Sequence, residues 1–179
     1  MTIIIGIDPG SRITGFGVIR SEGNRHFHLE SGCLRITATN SGDRLYQIYT
    51  GLQSVIQKFQ PHEAAIEQVF MHQNPGAALK LGQARGAAIV ALAMPISEYS
   101  ARQVKQSVVG YGAAKKEQVQ HMVKTLLNLS HELQADEADA LAIALCHAHT
   151  RISLNKIGFA PRKNKSRSNS WRNFTGERK

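Results

Sequence analysis

The fold is decided by residues 2–19, which read TIIIGIDPGSRITGFGVI. The β-branched run at 2–7 predicts a buried strand, and the Pro-Gly pair directly after Asp8 predicts the turn that ends it. Residues 14–19 predict a second strand, whose two glycines allow another backbone to approach closely. The acidic residue Asp8 therefore lies at the end of the first predicted strand, which is buried.

Beyond these two strands, the sequence alternates between short strands and helices. Residues 26–32 predict a third strand that completes a meander. Helical spacing of apolar residues, an Asn-Pro start and a Ser-x-x-Gln capping box predict the helices. These signals place helices over 43–59, 75–91, from Ser100 onward, over 115–127 and over 136–149, and strands over 64–67 and 95–98. Strands followed by helices that alternate with strands indicate an α/β fold, a mixed five-stranded sheet flanked by helices.

The positive charge of the chain is concentrated at its C-terminal end. The protein has 179 residues and a formal net charge of +9. Residues 151–179 hold nine lysines and arginines against one acid, whereas residues 1–150 hold thirteen against twelve. We therefore expect a folded domain over 1–150 and a basic, disordered tail over 151–179. The tail indicates a polyanionic partner, either nucleic acid or a membrane surface, with a merely solubilising terminus as the alternative.

Composition excludes several other classes. Only two cysteines occur, and no CxxC pair, which argues against a disulfide scaffold or a zinc ribbon. The N-terminal apolar run has no basic flank and stops at Asp8, so it is not a signal peptide. The apolar stretch at 87–94 is too short to span a bilayer. We expect a cytoplasmic protein with no membrane association.

Four carboxylates occupy positions where a purely structural acid is costly. Asp8 and Glu67 each end a buried strand, and burying an unpaired charge is expensive. Asp136 and Asp139 are three residues apart at the start of a helix, so they share one face. Singly, each has an ordinary alternative: a turn residue, an arginine partner or a helix-dipole contact. Together they form a cage of hard oxygen ligands that suits Mg²⁺ or Mn²⁺, and paired ions of this kind support phosphoryl transfer.

The same acids occur in motifs that resemble those of RuvC-type Holliday junction resolvases. The matching segments lie in order over about residues 2–149. They are GIDPGS from Gly6, TGFG from Thr14, IEQVF from Ile66, LGQARG from Leu81, ARQVKQ from Ala101, QVQHMV from Gln118 and ADEADALAIA from Ala135. The first segment alone is weakly diagnostic, whereas the ordered set is specific. The tail lies outside the resemblance, which therefore assigns it no role.

The resemblance implies a ribonuclease-H-like fold, a homodimer, and paired symmetric nicking of four-way DNA junctions in recombination and repair. It assigns Asp8, Glu67, Asp136 and Asp139 as catalytic ligands of two Mg²⁺ ions per subunit, with Mn²⁺ as an alternative. Two-metal hydrolysis of this kind leaves 5′-phosphate and 3′-hydroxyl ends. The family's partners are the RuvA and RuvB branch-migration proteins.

The resemblance also implies DNA contacts. It places the family's aromatic wedge on Phe70 and its DNA-contacting lysines on Lys105 and Lys116. Independently, Lys115 and Lys116 follow a Gly-Tyr-Gly loop at the start of a helix, where phosphate binds readily. Core packing is the alternative for Phe70, and a solvated surface is the alternative for the lysines. His147 lies on roughly the same helix side as the acids, so its contact with them is left open.

Two other functions remain open from the residues alone. The Asp-Pro-Gly turn also resembles the phosphate loop of actin-like ATP phosphotransferases, but those enzymes close two such domains around the nucleotide, and this chain has one. A non-catalytic binder of DNA structures could share the fold, but the presence of all four acids argues against it. Incubation of a four-way junction with Mg²⁺ distinguishes these functions from nuclease activity.

Overall fold

A mixed five-stranded sheet forms the centre of the computed structural model, which describes residues 1–68 and 74–156. The strands are β1 (Thr2–Asp8), β2 (Ile13–Glu22), β3 (Arg25–Arg35), β4 (Glu63–Glu67) and β5 (Ile96–Tyr99). Their order is β3-β2-β1-β4-β5. Strands β1 to β3 form the antiparallel meander, and β4 and β5 continue the sheet parallel to β1. The predicted mixed sheet is confirmed.

Helices cover both faces of this sheet. They are α1 (Ser41–Phe59), α2 (Pro75–Leu92), α3 (Ala101–Val109), α4 (Lys116–Leu127) and α5 (Ala135–Lys156). Side chains alternate between the two faces along each strand. In β1, Ile5 and Ile7 pack with α1 and α2, whereas Ile4 packs with α3, α4 and α5. The sheet therefore separates two apolar cores, and each core is closed by its own set of helices.

Local signals set the starts of the helices where the sequence predicted them. The Asn74 side chain accepts a hydrogen bond from the Ala77 amide at 3.2 Å, ahead of Pro75 in the first turn of α2. Ser100 and Gln103 form the predicted capping box at the start of α3. Each cap satisfies amide groups that the first turn leaves without a helical partner.

Glycines let α5 lie directly on the two central strands. A Cβ added at Gly6 in β1 would lie 2.6 Å from the Ala144 nitrogen. A Cβ added at Gly15 in β2 would overlap the backbone carbonyl of Asp136. Real side chains do not approach backbone this closely, so only glycine permits the contact. The close approach expected in β2 is confirmed, and it places the N-terminal turn of α5 above the end of β1.

Helix α5 is longer than predicted. We expected it to end at His149, but it continues to Lys156, so the start of the predicted tail is helical. The Arg151 side chain pairs with Glu63 of β4, with 2.9 Å between Nε and Oε1. This contact connects the added turns of the helix to the sheet. Residues 157–179 lie outside the described residues, and the domain division at 150 stays a prediction.

Membrane insertion finds no support in the helices that the structure describes, since none is both long enough and apolar enough to span a bilayer.

Candidate active site

Two of the predicted acids meet at the carboxyl edge of the sheet. Asp8 is the last residue of β1, and Glu67 is the last residue of β4. The strands are parallel, with Ile7 paired to Ile66, so the next residue of each reaches the same edge. Side-chain alternation places both carboxylates on the face that α5 covers. The edge of the sheet and the start of α5 thus enclose one acidic site.

Helix α5 brings the other two acids to this edge. Asp136 lies in its first turn, and Asp139 follows one turn later. The backbone of Asp136 sits over Gly15, and Gly15 is paired with Asp8 in the antiparallel ladder. The i, i+3 spacing predicted one shared helix face, and the packing of α5 directs that face at the strand ends.

The electrostatics show that the acids interact. The pKa of Asp8 rises from 3.8 to about 7, first because of burial and then because of the negative charges of Asp139, Glu67 and Asp136. Burial, and then the charge of Asp139, also raise the pKa of Glu67. Carboxylates that disfavour each other's ionisation in this way form one electrostatically coupled site.

Lysines form the other side of the same cleft. Lys116, the first residue of α4, places its Nζ 2.8 Å from Oδ2 of Asp139. Lys105 of α3 lines the cleft with Glu67, and both lysines oppose the rise in the pKa of Glu67. The cleft has a volume of about 230 Å³. Its apolar wall, which the sequence did not indicate, is formed by Ala101, Val104, Val119, Ala142 and Ile143.

Lys115 does not line the cleft, in contrast to its neighbour Lys116. It is exposed and lies at the N-cap of α4, where its amide donates to Oε1 of Gln118 at 2.9 Å. Tyr111 donates its hydroxyl to the same oxygen at 2.7 Å. These bonds hold the loop that precedes α4, and through it the position of Lys116.

The donor set fits a hard divalent cation, although the acids are not drawn together around one point. Among the described residues, no three His, Cys, Asp or Glu side chains converge closely enough to hold an ion. Asp139 pairs with Lys116. All four acids offer carboxylate oxygens, the ligands that Mg²⁺ and Mn²⁺ prefer. The chemistry of the donors therefore fits the expected ions, and the cage itself stays a prediction.

Another acid, which the sequence analysis did not single out, anchors the start of α5. Glu137 is buried, accepts a hydrogen bond from the Ser31 hydroxyl at 2.7 Å and accepts another from the Gln134 amide at 3.0 Å. The second bond closes the first turn of the helix. An acid three residues after a polar residue at a helix start is the signal that could have revealed it.

Two other candidates do not join the site in the described structure. His147 turns away from the acids: its Nδ1 lies 2.8 Å from the Tyr99 hydroxyl, and its Nε2 lies 2.9 Å from Oε2 of Glu63. It belongs to a buried polar network between α5 and the sheet, and burial lowers its pKa. Phe70 lies outside the described residues, so its assignment as a wedge stays a prediction.

Comparisons with known proteins agree with this architecture. A family model described as "Crossover junction endodeoxyribonuclease RuvC" matches residues 4–147. Proteins of that name from Tolumonas auensis and Francisella philomiragia are 62% and 55% identical to the chain. The alignments cover 88% and 92% of this chain, and 92% and 98% of the relatives.

A solved structure agrees as well. The structure of "T. thermophilus RuvC in complex with Holliday junction substrate" superposes with a TM-score of 0.80 at 32% identity, covering 89% of this chain and 98% of that one. The expected ribonuclease-H-like arrangement is confirmed by this match.

Proposed function

Since the chain belongs to the RuvC family of crossover junction endodeoxyribonucleases, we propose that the cleft at the carboxyl edge of its sheet hydrolyses phosphodiester bonds at Holliday junctions. The protein is an endonuclease that resolves such junctions in recombination and repair. The observation that carries the assignment of the cleft is the convergence of the two strand-end acids, the start of α5 and two lysines on one edge.

Within the cleft, the two classes of charged residue have different roles. The carboxylates of Asp8, Glu67, Asp136 and Asp139 are the catalytic groups and the ligands of the metal. Mg²⁺, when bound, supplies the positive charge that acidifies a water and stabilises a leaving oxygen. We assign two ions to each subunit, with Mn²⁺ as the alternative. The mutual repulsion seen in the raised pKa of Asp8 supports this assignment, because a cation removes the repulsion.

The lysines act on the DNA. Lys116 is half-exposed and bonded to Asp139, so its ammonium lies at the boundary between the acids and solvent. From this position the ammonium of Lys116 would offset the charge of the scissile phosphate. Lys105 lines the same cleft from α3, where it binds the DNA strand beside Glu67. Lys115 is exposed at the start of α4, where it can contact a neighbouring phosphate.

A junction must be cut on two strands, which requires two equivalent sites, and a C₂ dimer supplies them. One face of α2 suits this contact. Leu79 and Val90 are 64% and 66% exposed, and between them Gly82 and Gly86 leave space in which an added Cβ meets no atom within 4 Å. Residues at this spacing lie on one side of a helix, so the stripe is apolar and smooth enough for a second α2 to pack on it.

The dimer contact is tested with the double variant Leu79→Glu, Val90→Glu. Both side chains are exposed in the single chain, so the variant should fold normally but sediment as a monomer and fail to resolve junctions. The matched control is Tyr46→Glu, which changes another exposed apolar residue, on α1. Unchanged dimerisation of the double variant would place the interface elsewhere. Association with the RuvA and RuvB proteins stays a proposal drawn from the family.

The nuclease assignment is tested by incubating a labelled four-way junction with the protein and Mg²⁺. We expect paired nicks of like polarity with 5′-phosphate and 3′-hydroxyl ends. Asp8→Asn, Glu67→Gln, Asp136→Asn and Asp139→Asn should each bind the junction but cut it at least a hundredfold more slowly, as expected when groups that act as one unit are removed. The control Glu117→Gln, an exposed acid in the first turn of α4, should cut normally. Any of the four variants that cuts at the wild-type rate lies outside the catalytic set.

A further inference from the structure

A second cationic cavity lies at the same edge of the sheet, but on its opposite face. Helices α1 and α2 form it together with the loop that follows β1. Its walls are formed by Ser11, Ser41, Arg44, Leu45, Ile48, Lys80, Gln83 and Ala84. None of these residues lines the acidic cleft, and Ile48 and Ala84 belong to the core under α1 and α2 rather than to the core under α5. The two cavities therefore lie on either side of the strand end that carries Asp8.

The side chains of this cavity are those that bind an anion. Arg44 and Lys80 contribute two positive charges, and none of the described residues that line the cavity is acidic. Arg44 donates a hydrogen bond to the backbone carbonyl of Ser11, which holds the guanidinium against the loop. Lys80 is exposed and forms no ion pair within residues 1–68 and 74–153. The hydroxyl of Ser41 and the amide of Gln83 add neutral donors.

The cavity is small and open to solvent. Its volume is about 30 Å³, which leaves room for a projecting phosphate oxygen. Arginine and lysine together are the usual residues for this group, since arginine offers a fork of donors and lysine a point charge.

The chain also limits how far this cavity lies from the reacting bond. Ser11 is three residues from Asp8, so their Cα atoms are at most about 11 Å apart. Phosphates follow one another at about 3.4 Å along the axis for each strand of duplex DNA. A phosphate of the same DNA strand that reached the second cavity would therefore lie within about three nucleotides of the bond at Asp8.

We propose that Arg44 and Lys80 bind a backbone phosphate of the cleaved strand, within about three nucleotides of the bond that is cut. This inference rests on the proposed function, since it requires DNA in the acidic cleft. DNA that crosses the strand end is then held on both faces of the sheet, by Lys105 and Lys116 on one face and by Arg44 and Lys80 on the other. The added contact positions the strand and carries no sequence information.

The test uses Lys80→Gln in the full chain, because Lys80 is exposed and its replacement leaves the contact between Arg44 and Ser11 in place. Binding to a four-way junction is measured in Ca²⁺ across a salt series. Each subunit of the proposed dimer loses one exposed charge pair, so we expect Kd to rise roughly fivefold for each subunit that binds. The slope of log K against log salt should fall by about 0.9 for each lost phosphate contact, which is about 1.8 for the dimer. The matched control is Lys58→Gln at the far end of α1, which should leave the slope unchanged.

A second measurement locates the phosphate. Single neutral methylphosphonates are placed at successive positions on either side of the cleaved bond, and wild type should lose affinity at one position within about three nucleotides of that bond. Lys80→Gln should be insensitive to the same substitution. Inorganic phosphate is the probe for the other source of the anion. If inorganic phosphate binds in the cavity while no methylphosphonate substitution changes the affinity for DNA, the site binds free phosphate and the proposal is wrong.

The failures of the two proposals are distinguishable. Normal junction binding with an unchanged salt slope in Lys80→Gln overturns the phosphate site alone. A wild-type protein that does not bind or cut junctions overturns the proposed function and this inference with it.

Discussion

Replacement of Asp8 by Asn should stabilise the metal-free protein at neutral pH while abolishing its nuclease activity. Burial and the charges of Asp139, Glu67 and Asp136 raise the pKa of Asp8 from 3.8 to about 7. Because one pKa unit corresponds to about 1.36 kcal/mol, the ionised carboxylate costs the folded state up to roughly 4 kcal/mol. The neutral amide removes this cost. Since the neighbouring acids can relax, we expect a gain of about 2 kcal/mol in the free energy of unfolding.

The gain has a defined pH dependence. Folded Asp8 binds its proton more tightly than Asp8 in the unfolded chain, so its contribution to stability falls as pH rises from about 4 to about 7. The variant D8N lacks this component of the fall. The two proteins should therefore have similar stabilities near pH 4, and the difference should be fully developed above pH 7.

Urea unfolding in EDTA at pH 4.5, 6 and 7.5 measures these differences, and Glu117→Gln serves as a control that should stay within about 0.5 kcal/mol of wild type. Adding Mg²⁺ should stabilise wild type through binding to the folded state, and should stabilise D8N much less. If D8N is no more stable than wild type at pH 7.5 in EDTA, the carboxylates do not repel one another in the folded protein.

Three further changes test how the site is held and what surrounds it. Gly15→Ala should lower the melting temperature and slow cutting at least tenfold, although all four acids are present, because the added Cβ displaces the backbone of Asp136. The control in the melting and nicking assays is Gly42→Ala, whose Cβ meets only a side-chain oxygen at 3.6 Å. Glu137→Ala should cost about 1 kcal/mol in urea unfolding, as for loss of a helix cap, and a wild-type midpoint would show that the buried acid does not anchor α5. Truncation after Lys156 keeps α5 whole and removes seven basic residues. If half of them contact DNA, the salt slope of junction and duplex binding should flatten by about 3 for each subunit that binds. An unchanged slope would show that this segment does not touch DNA.

Much of the secondary structure could be predicted because its signals are local. The β-branched run at 2–7, the Asn-Pro start of α2 and the capping box at Ser100 each act within a few residues, and all three appear as expected. The end of α5 was missed because no local signal governs it. The helix continues past His149, and its side chain at position 151 meets Glu63, which is distant in the sequence.

The acids of the site were predictable for a similar reason, whereas their surroundings were not. A carboxylate at the end of a buried strand is costly wherever that strand lies, so Asp8 and Glu67 stand out in the sequence alone. The direction of the His147 side chain could not be predicted in this way. Its partners Tyr99 and Glu63 come from two separate strands, and only the packed sheet brings them to the His147 ring.

The candidate residues for the chemistry can be picked out from the sequence, because patterning, caps and the cost of a buried charge act over short distances along the chain. How those residues meet depends on the tertiary structure. The pairing of Lys116 with Asp139, the contact of α5 with Gly15 and the cavity between Arg44 and Lys80 each join segments that are far apart in the chain. Such contacts depend on how helices seat on the two faces of the sheet, and that seating is settled by the packing of both cores at once.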